Sequence, residues 1–448
     1  MAGAHRTTAP GLHLSRAGGG GPPAPERARA LWLDSLARAG WIAEMAIDQV
    51  PVADAFGRVT ASPVLARWPS PRSDCSAMDG IATRAAAVGA GTAGGDADGA
   101  GALAGDPVRL PPGAFEWIDT GDPMPDGADT VVLREWLLPQ ADGSVIITGS
   151  TGVVRGKHVR RAGEDFGAGE VLVRAGRRLR PGDLAAAAAG GHASVAVYRR
   201  PVVAIIPTGD EIRTVGAALR RGDIIETNSL MLAARCRELG AAAVVSDVQS
   251  DDPDALAAEI RRAALGADLV LVIAGSSRGR DDNTGAVLAQ VGAVAVAGIA
   301  VRPGHPALLG HVKRSSAGCG GIAPVIGLPG YPLATAVIFE LFAAPLLAAA
   351  GGAAESGGPR LLAALDRDWT SPPGVEDWVL VTLSARREPA LTTPALTTPA
   401  IASPARRGAG SVSALARADA WWRVPPEQVD FAAGAMIELI PLTPGWAR

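Results

Sequence analysis

The chain has 448 residues, with 42 Lys+Arg against 45 Asp+Glu and a formal net charge of −3. Its length calls for about three domains. The near balance of charge lacks the basic excess expected of a nucleic-acid or anionic-membrane binder. Three scattered cysteines (Cys75, Cys236, Cys319) and six histidines without ligand spacing point away from a disulfide framework and from a zinc site.

Residues 1–25 are rich in Gly, Pro and Ala and read as a disordered lead without a signal-like segment, so a soluble cytoplasmic protein is expected. Ala30, Leu31, Leu33, Leu36 and Ala37 recur with helical period and predict a helix over 27–39. From 51 to 180 short β-like runs alternate with turns, the clearest at 107–110, 130–133, 144–148 and 169–173. The Gly/Ala/Asp stretch 86–105 reads as a flexible insertion.

Between 201 and 350, strands predicted at 202–207, 242–248, 269–273, 294–300 and 324–327 alternate with helices at 229–239, 253–265, 284–291 and 332–347. Thr227, Asn228 and Ser229 are expected to cap one helix, and Asp252 with Pro253 the next. Near-continuous apolar strands alternating with helices predict a doubly wound α/β domain with a parallel sheet covered on both faces. The apolar stretch 334–350 is short and carries Glu340, so it reads as a core helix rather than a membrane span. A β-like tail follows, with strands at 377–383 and 435–440; the tandem LTTPA at 391–400 reads as a loop expansion.

Ligands of open α/β sheets bind outside the carboxyl ends of the strands. Three such ends carry suggestive loops: Thr208, Gly209, Asp210 and Glu211; then Ala274, Gly275, Ser276 and Ser277 running to Asp282; then 327–332 with Pro329, Gly330 and Pro332. Glycines there let backbone N–H groups approach an anion. Glu211, Asp251, Asp252 and Asp282 gather near the same edge, and carboxylates beside phosphates require a hard cation between them. The residues alone therefore imply a Mg²⁺-dependent enzyme acting on a nucleotide-like anion. Asp252 is the weakest of the four, because capping a helix already explains it.

The run Asp74-Cys75-Ser76-Ala77-Met78-Asp79-Gly80-Ile81-Ala82 resembles the N/D-x-S-A-M-D-G-Y/F-A signature of the MoeA/gephyrin E-domain family, the molybdopterin molybdenumtransferases. The resemblance continues through 120–129 (T-G-A-P-x-P-x-G-A-D), 160–165 (R-x-x-G-E-D), 207–212 (S-T-G-D-E-L), 301–306 and 327–332. It ends in 407–419, similar to the family's G-S-G tail segment, and covers about 27–445 in order.

The resemblance implies a multidomain α/β plus β protein. An elongated first domain is split over 26–66 and 153–199, and a β-rich second domain (67–152) is inserted in it. An α/β molybdopterin-binding domain (200–350) and a β-barrel-like C-terminal domain (359–448) follow. It implies a homodimer whose active site joins the third domain of one subunit to the second of its partner. The implied reaction takes adenylylated molybdopterin and molybdate to molybdenum cofactor and AMP with Mg²⁺, and the molybdopterin adenylyltransferase is an implied partner. Neither nucleic acid nor membrane is expected.

By position, Asp79, Thr120, Glu211, Asp251 and Asp282 would be catalytic, the last three also holding the metal. Thr208, Gly209, Asp210, Ser229, Gly275, Ser276, Ser277, Arg302, His305, Pro329, Gly330 and Pro332 would bind substrate. The chain departs from the family at Arg302 and His305, where lysines are usual, at Gly298, another lysine position, and at Ala334, which lacks a hydroxyl beside Thr335. Arginine remains a good oxyanion ligand, whereas histidine makes a permanent charge depend on pH. Arg278 and Arg280 add positive charge nearby. Tungstate selectivity, a non-catalytic molybdopterin-binding or scaffold role and molybdopterin adenylylation are the alternatives. Adenylylation leaves residues 27–200 and the tail without a purpose.

Overall fold

A computed structural model describes residues 21–41, 46–89, 107–148, 152–274, 284–314, 321–352, 360–384 and 400–442. Two compact units emerge, Ile47–Val197 and the rest of the chain. The 391–399 part of the tandem repeat and most of the 86–105 insertion lie outside the described residues. Ala85–Val88, at the start of that insertion, instead forms a 3-10 turn with Ala85 and Val88 buried.

The larger unit opens with helix α1 (Pro25–Arg38), which starts at Pro25 because a missing N–H costs nothing in the first turn. Trp32 anchors it. The ring is 1% exposed, meets Phe342 edge-on at 6.5 Å, and its Nε1 donates to the Gly310 carbonyl at 2.7 Å. The end of the expected disordered lead is also fixed, since Pro23 accepts from the Ala300 N–H at 2.8 Å.

The α/β domain comprises β1 (Val202–Pro207), α2 (Asn228–Glu238), β2 (Ala242–Val245), α3 (Pro253–Ala264), β3 (Leu269–Ala274), α4 (Thr284–Val291), β4 (Gly292–Ala297), β5 (Leu308–Lys313), β6 (Ile322–Pro329) and α5 (Pro332–Ala350). The sheet order is β2-β1-β3-β6-β5-β4. β2, β1, β3 and β6 are parallel, whereas β5 runs against both neighbours. The expected all-parallel sheet is thus mixed. Residues 314–321 between β5 and β6 are too few for the crossover that a parallel pair needs, and the interrupted run Leu308–Lys313 gave no strand signal.

Both faces of the sheet are buried, as the unbroken apolar strands predict. Val203, Ile205, Leu269 and Leu271 pack on one side; Ala204, Ile206, Val270 and Val272 pack on the other. Helix α5 is long and apolar enough to cross a membrane by length and composition, but Leu333, Val337, Ile338, Phe339 and Phe342 lie in the first of these cores. Its one charged side chain, Glu340, pairs with Arg235 at 2.7 Å.

Helix α3 is capped as expected, Asp252 accepting from the Asp254 N–H at 3.1 Å. Helix α2 is not. Thr227 makes no side-chain cap; Glu226 accepts from the Ser229 N–H at 2.9 Å and from its hydroxyl. A carboxylate suits the positive end of a helix better than a neutral hydroxyl.

Five strands, β7 (Leu361–Leu365), β8 (Glu376–Ser384), β9 (Ala400–Pro404), β10 (Ala420–Val424) and β11 (Met436–Pro441), close into a barrel in the order β8-β9-β7-β11-β10, β10 returning to β8. The two-residue strand Val301–Arg302 pairs in parallel with the start of β8, placing Arg302 opposite Asp377.

In the unit Ile47–Val197, Gly80–Thr83 lies between Phe115–Ile118 and Thr130–Leu133, all antiparallel. Val145–Ile147 lies between Val108–Leu110 and Leu137–Pro139. A separate core gathers Val52, Val64, Val173, Leu179 and Val197 from both ends of this segment, which the sequence reading assigns to one split domain.

Candidate functional site

Register brings the three strand ends together. Pro207 lies opposite Ile273, Ile273 opposite Leu328, and Ala274 opposite Pro329. The Thr208 N–H and hydroxyl both donate to the Ile273 carbonyl, at 2.9 and 3.0 Å, so this hydroxyl ties strands together and is buried. Gly209 follows at φ +135°, where a Cβ would lie 2.7 Å from Ile212 Cγ1; only glycine fits. Asp210 and Asp251 then meet by a reciprocal pair: each backbone N–H donates to the other's carboxylate at 3.3 Å. Glu211 is exposed beside them. Gly275, Ser276, Ser277, Arg278, Arg280 and Asp282 lie outside the described residues.

Among the described residues no three His, Cys, Asp or Glu side chains form a metal cage. The Asp210–Asp251 pair nonetheless fits Mg²⁺, which takes one or two carboxylates and completes its shell with phosphate oxygens and water.

A cavity of about 630 Å³ opens between the α/β domain and the barrel. Arg302, His305, Pro329 and Gly330 form part of its wall, as does Ala334; Arg406, Arg407, Trp369 and Asp377 form the barrel side. Gly304 turns the chain at φ +125°, where a Cβ would strike Ile338 at 2.8 Å. The Ile299 carbonyl accepts from His305 Nδ1 at 2.9 Å, which fixes the tautomer and leaves Nε2 for a ligand. Asn228 Nδ2 donates to the Gly330 carbonyl at 2.7 Å and steadies that wall. The Thr335 hydroxyl beside Ala334 is spent on the Pro329 and Tyr331 carbonyls.

Arg302 and Arg406 are exposed and make no side-chain hydrogen bond or ion pair with the described residues. Uncompensated guanidiniums in a concave site are anion ligands in waiting. No residue-level signal in the sequence assigns Arg406, Arg407, Trp369 or Asp377 a role. Trp369 and Asp377 have no motif, and the resemblance over 407–419 was the one signal pointing to this wall.

Thr208, Gly209, Asp210, Glu211, Ser229, Asp251 and Pro332 do not line the cavity. The Ser229 hydroxyl serves the α2 cap, and Pro332 opens α5 as its first residue.

In the unit Ile47–Val197, Asp79 and Thr120 do meet. The Thr120 N–H and hydroxyl both donate to Asp79 Oδ1 at 2.7 Å, and these bonds, with Arg134 nearby, hold the carboxyl below the usual range. Other motif residues support the fold. Asp74 pairs with Arg161 at 2.6 Å and accepts from the Ala162 N–H at 2.9 Å, joining segments 87 positions apart. Asp129 accepts from the Ala85 N–H at 2.7 Å.

Three family descriptions match the chain in order: the MoeA N-terminal region (domain I and II) over residues 24–191, a probable molybdopterin binding domain over 204–349, and the MoeA C-terminal region (domain IV) over 363–442. Molybdopterin molybdenumtransferase 2 of Mycobacterium tuberculosis is 33% identical over 416 residues, covering 88% of this chain and 95% of that protein. The Nostoc sp. molybdopterin molybdenumtransferase is 34% identical over 323 residues, 68% of this chain and 70% of that protein. Among solved structures, the molybdopterin biosynthesis MoeA protein of Pyrococcus horikosii superposes with a TM-score of 0.74 at 27% identity, covering 94% of this chain and 100% of that one.

Proposed function

The chain belongs to the MoeA family of molybdopterin molybdenumtransferases, and from that premise we propose that it transfers molybdenum from molybdate to adenylylated molybdopterin, releasing AMP. In the balanced reaction two dithiolene sulfurs displace two oxygens of molybdate, which leave as two waters with the two thiol protons and two protons from solution, and one water is consumed in opening the phosphoanhydride.

The observation that carries this reading is the cavity whose arginines are uncompensated at positions 302 and 406. Arg302, Arg406 and Arg407 bind the tetrahedral dianion. Pro329 and Gly330 shape its wall, and His305 Nε2 stands where the family has an ammonium. The nucleotide end lies along the strand ends at 208–211 and 251, where Asp210 and Asp251, with Glu211 and Asp282, would hold Mg²⁺. Bound there, Mg²⁺ would offset phosphate charge and polarise the phosphoanhydride. The protein acts as a homodimer, and Asp79, kept anionic by Thr120, acts on substrate held by the partner subunit.

The test is incubation of purified protein with adenylylated molybdopterin, Mg²⁺ and either molybdate or tungstate, followed by chromatography of AMP. Molybdate-dependent AMP is expected, and Asp251→Ala should abolish it while the protein remains folded. Tight molybdopterin binding with no AMP would identify a binding or scaffold protein instead. AMP with tungstate alone would reassign the oxyanion.

A further inference from the structure

We propose that Trp369 is a positioning residue that fixes the plane of the Arg407 guanidinium at the oxyanion cavity; this rests on the reading of that cavity as an anion site. Arg407 Cζ lies 4.6 Å from the Trp369 ring centroid, a stacked cation–π contact. Its Nη2 donates to the Thr370 carbonyl and approaches Asp377 Oδ2 at 3.3 Å. Among the described residues nothing bonds Nη1 or Nε. The face is therefore taken by the indole and one edge by two acceptors, and the remaining edge is left for a ligand.

Trp369 is itself held in place. Its Nε1 donates to Ser371 Oγ at 3.0 Å, and Ser371, 2% exposed, donates onward to Asp377 Oδ2 at 2.9 Å. The ring also packs on Trp422 at 6.1 Å, and Trp369 pairs across a two-residue ladder with Phe431. The closed circuit Trp369–Ser371–Asp377–Arg407 makes the guanidinium a rigid part of the barrel. Arginine on a flexible stem otherwise surrenders rotamer freedom when it binds.

Asp377 is the less decisive partner to perturb, because removing it alters charge and orientation together. Trp369 carries no charge, so its replacement leaves the charge of the site unchanged. Trp369→Leu should weaken molybdate binding about fivefold by calorimetry. It should raise the KM for molybdate by the same factor with kcat unchanged. Trp369→Phe, which keeps a ring face, should stay within about twofold of the wild type.

In an Arg407→Ala background Trp369→Leu should have no further effect on binding, an outcome that a general loosening of the barrel would not produce. Arg407→Lys keeps the charge without the planar fork and covers the case in which Trp369→Leu does not fold; it too should bind about fivefold more weakly. Should Arg407→Ala bind molybdate as tightly as the wild type, the anion-site reading itself fails. Should Arg407→Ala weaken binding while Trp369→Leu and Arg407→Lys do not, the cavity stands and the positioning role is overturned.

Discussion

Replacing Arg302 by alanine separates ligand binding from stability. The guanidinium is exposed and unpaired among the described residues, so truncation breaks no hydrogen bond or ion pair there. A surface change of that kind costs within about 0.5 kcal/mol of folding stability. A guanidinium on an oxyanion makes charge-assisted hydrogen bonds worth about 1.5–3 kcal/mol. At about 1.4 kcal/mol per decade, this corresponds to molybdate binding roughly 10- to 150-fold weaker. Calorimetric titration with molybdate at low ionic strength and urea denaturation measure the two quantities on one preparation. Binding within twofold of the wild type would refute the anion-site assignment. A stability loss above about 2 kcal/mol would refute the claim that Arg302 is unpaired.

Thr120→Val removes one of two hydrogen bonds to Asp79, so the Asp79 carboxyl should titrate closer to the usual range in carbon-detected NMR; an unmoved titration would exclude the hydroxyl as a cause. Because that pKa is depressed in the fold, the associated stabilisation is present above the ordinary carboxylate range and is lost as pH falls through the folded value. Trp32→Ala should cost about 3–5 kcal/mol in urea denaturation, while Trp32→Phe should cost less but remove the indole hydrogen bond to the Gly310 carbonyl; a neutral Trp32→Ala would mean that α1 is dispensable to the core. Burial pushes the Cys236 thiol up to about 12, so it should resist alkylation at pH 8 until urea unfolds the chain; rapid native labelling would contradict its burial.

Where local pattern and tertiary structure agree, the sequence was sufficient. The unbroken apolar runs at 202–207 and 269–273 became central strands, and Asp252-Pro253 capped a helix. The failures have identifiable physical sources. Strand β5 was hidden because Gly310 and His311 break its apolar run, although Gly310 is needed where β5 lies close to Ala293. The α2 cap was misread because Glu226, one turn upstream, outcompetes nearer hydroxyls for the same N–H groups.

Site legibility divides in the same way. Asp79 and Thr120, which the resemblance pairs as site residues, do meet, and so do Asp210 and Asp251, whose loops the strand ends bring to one sheet edge. Beyond the resemblance over 407–419, the barrel wall of the cavity could not be read from the sequence. Arg407 depends on Trp369, Thr370 and Asp377, which a different stretch of chain supplies and only barrel closure brings near. Conversely, the Thr208 and Ser229 hydroxyls look like ligand donors in sequence and are consumed by the fold.

The central claim is metal insertion, and the most direct measurement is the molybdenum content of the pterin product after a single turnover. Protein in excess over adenylylated molybdopterin is mixed with Mg²⁺ and molybdate, quenched and separated, and molybdenum co-eluting with the pterin is compared with AMP released. One molybdenum per AMP is predicted, with both lost in Arg302→Ala at limiting molybdate. AMP released without molybdenum in the pterin fraction would make the protein a phosphoanhydride hydrolase and contradict its assignment as a transferase.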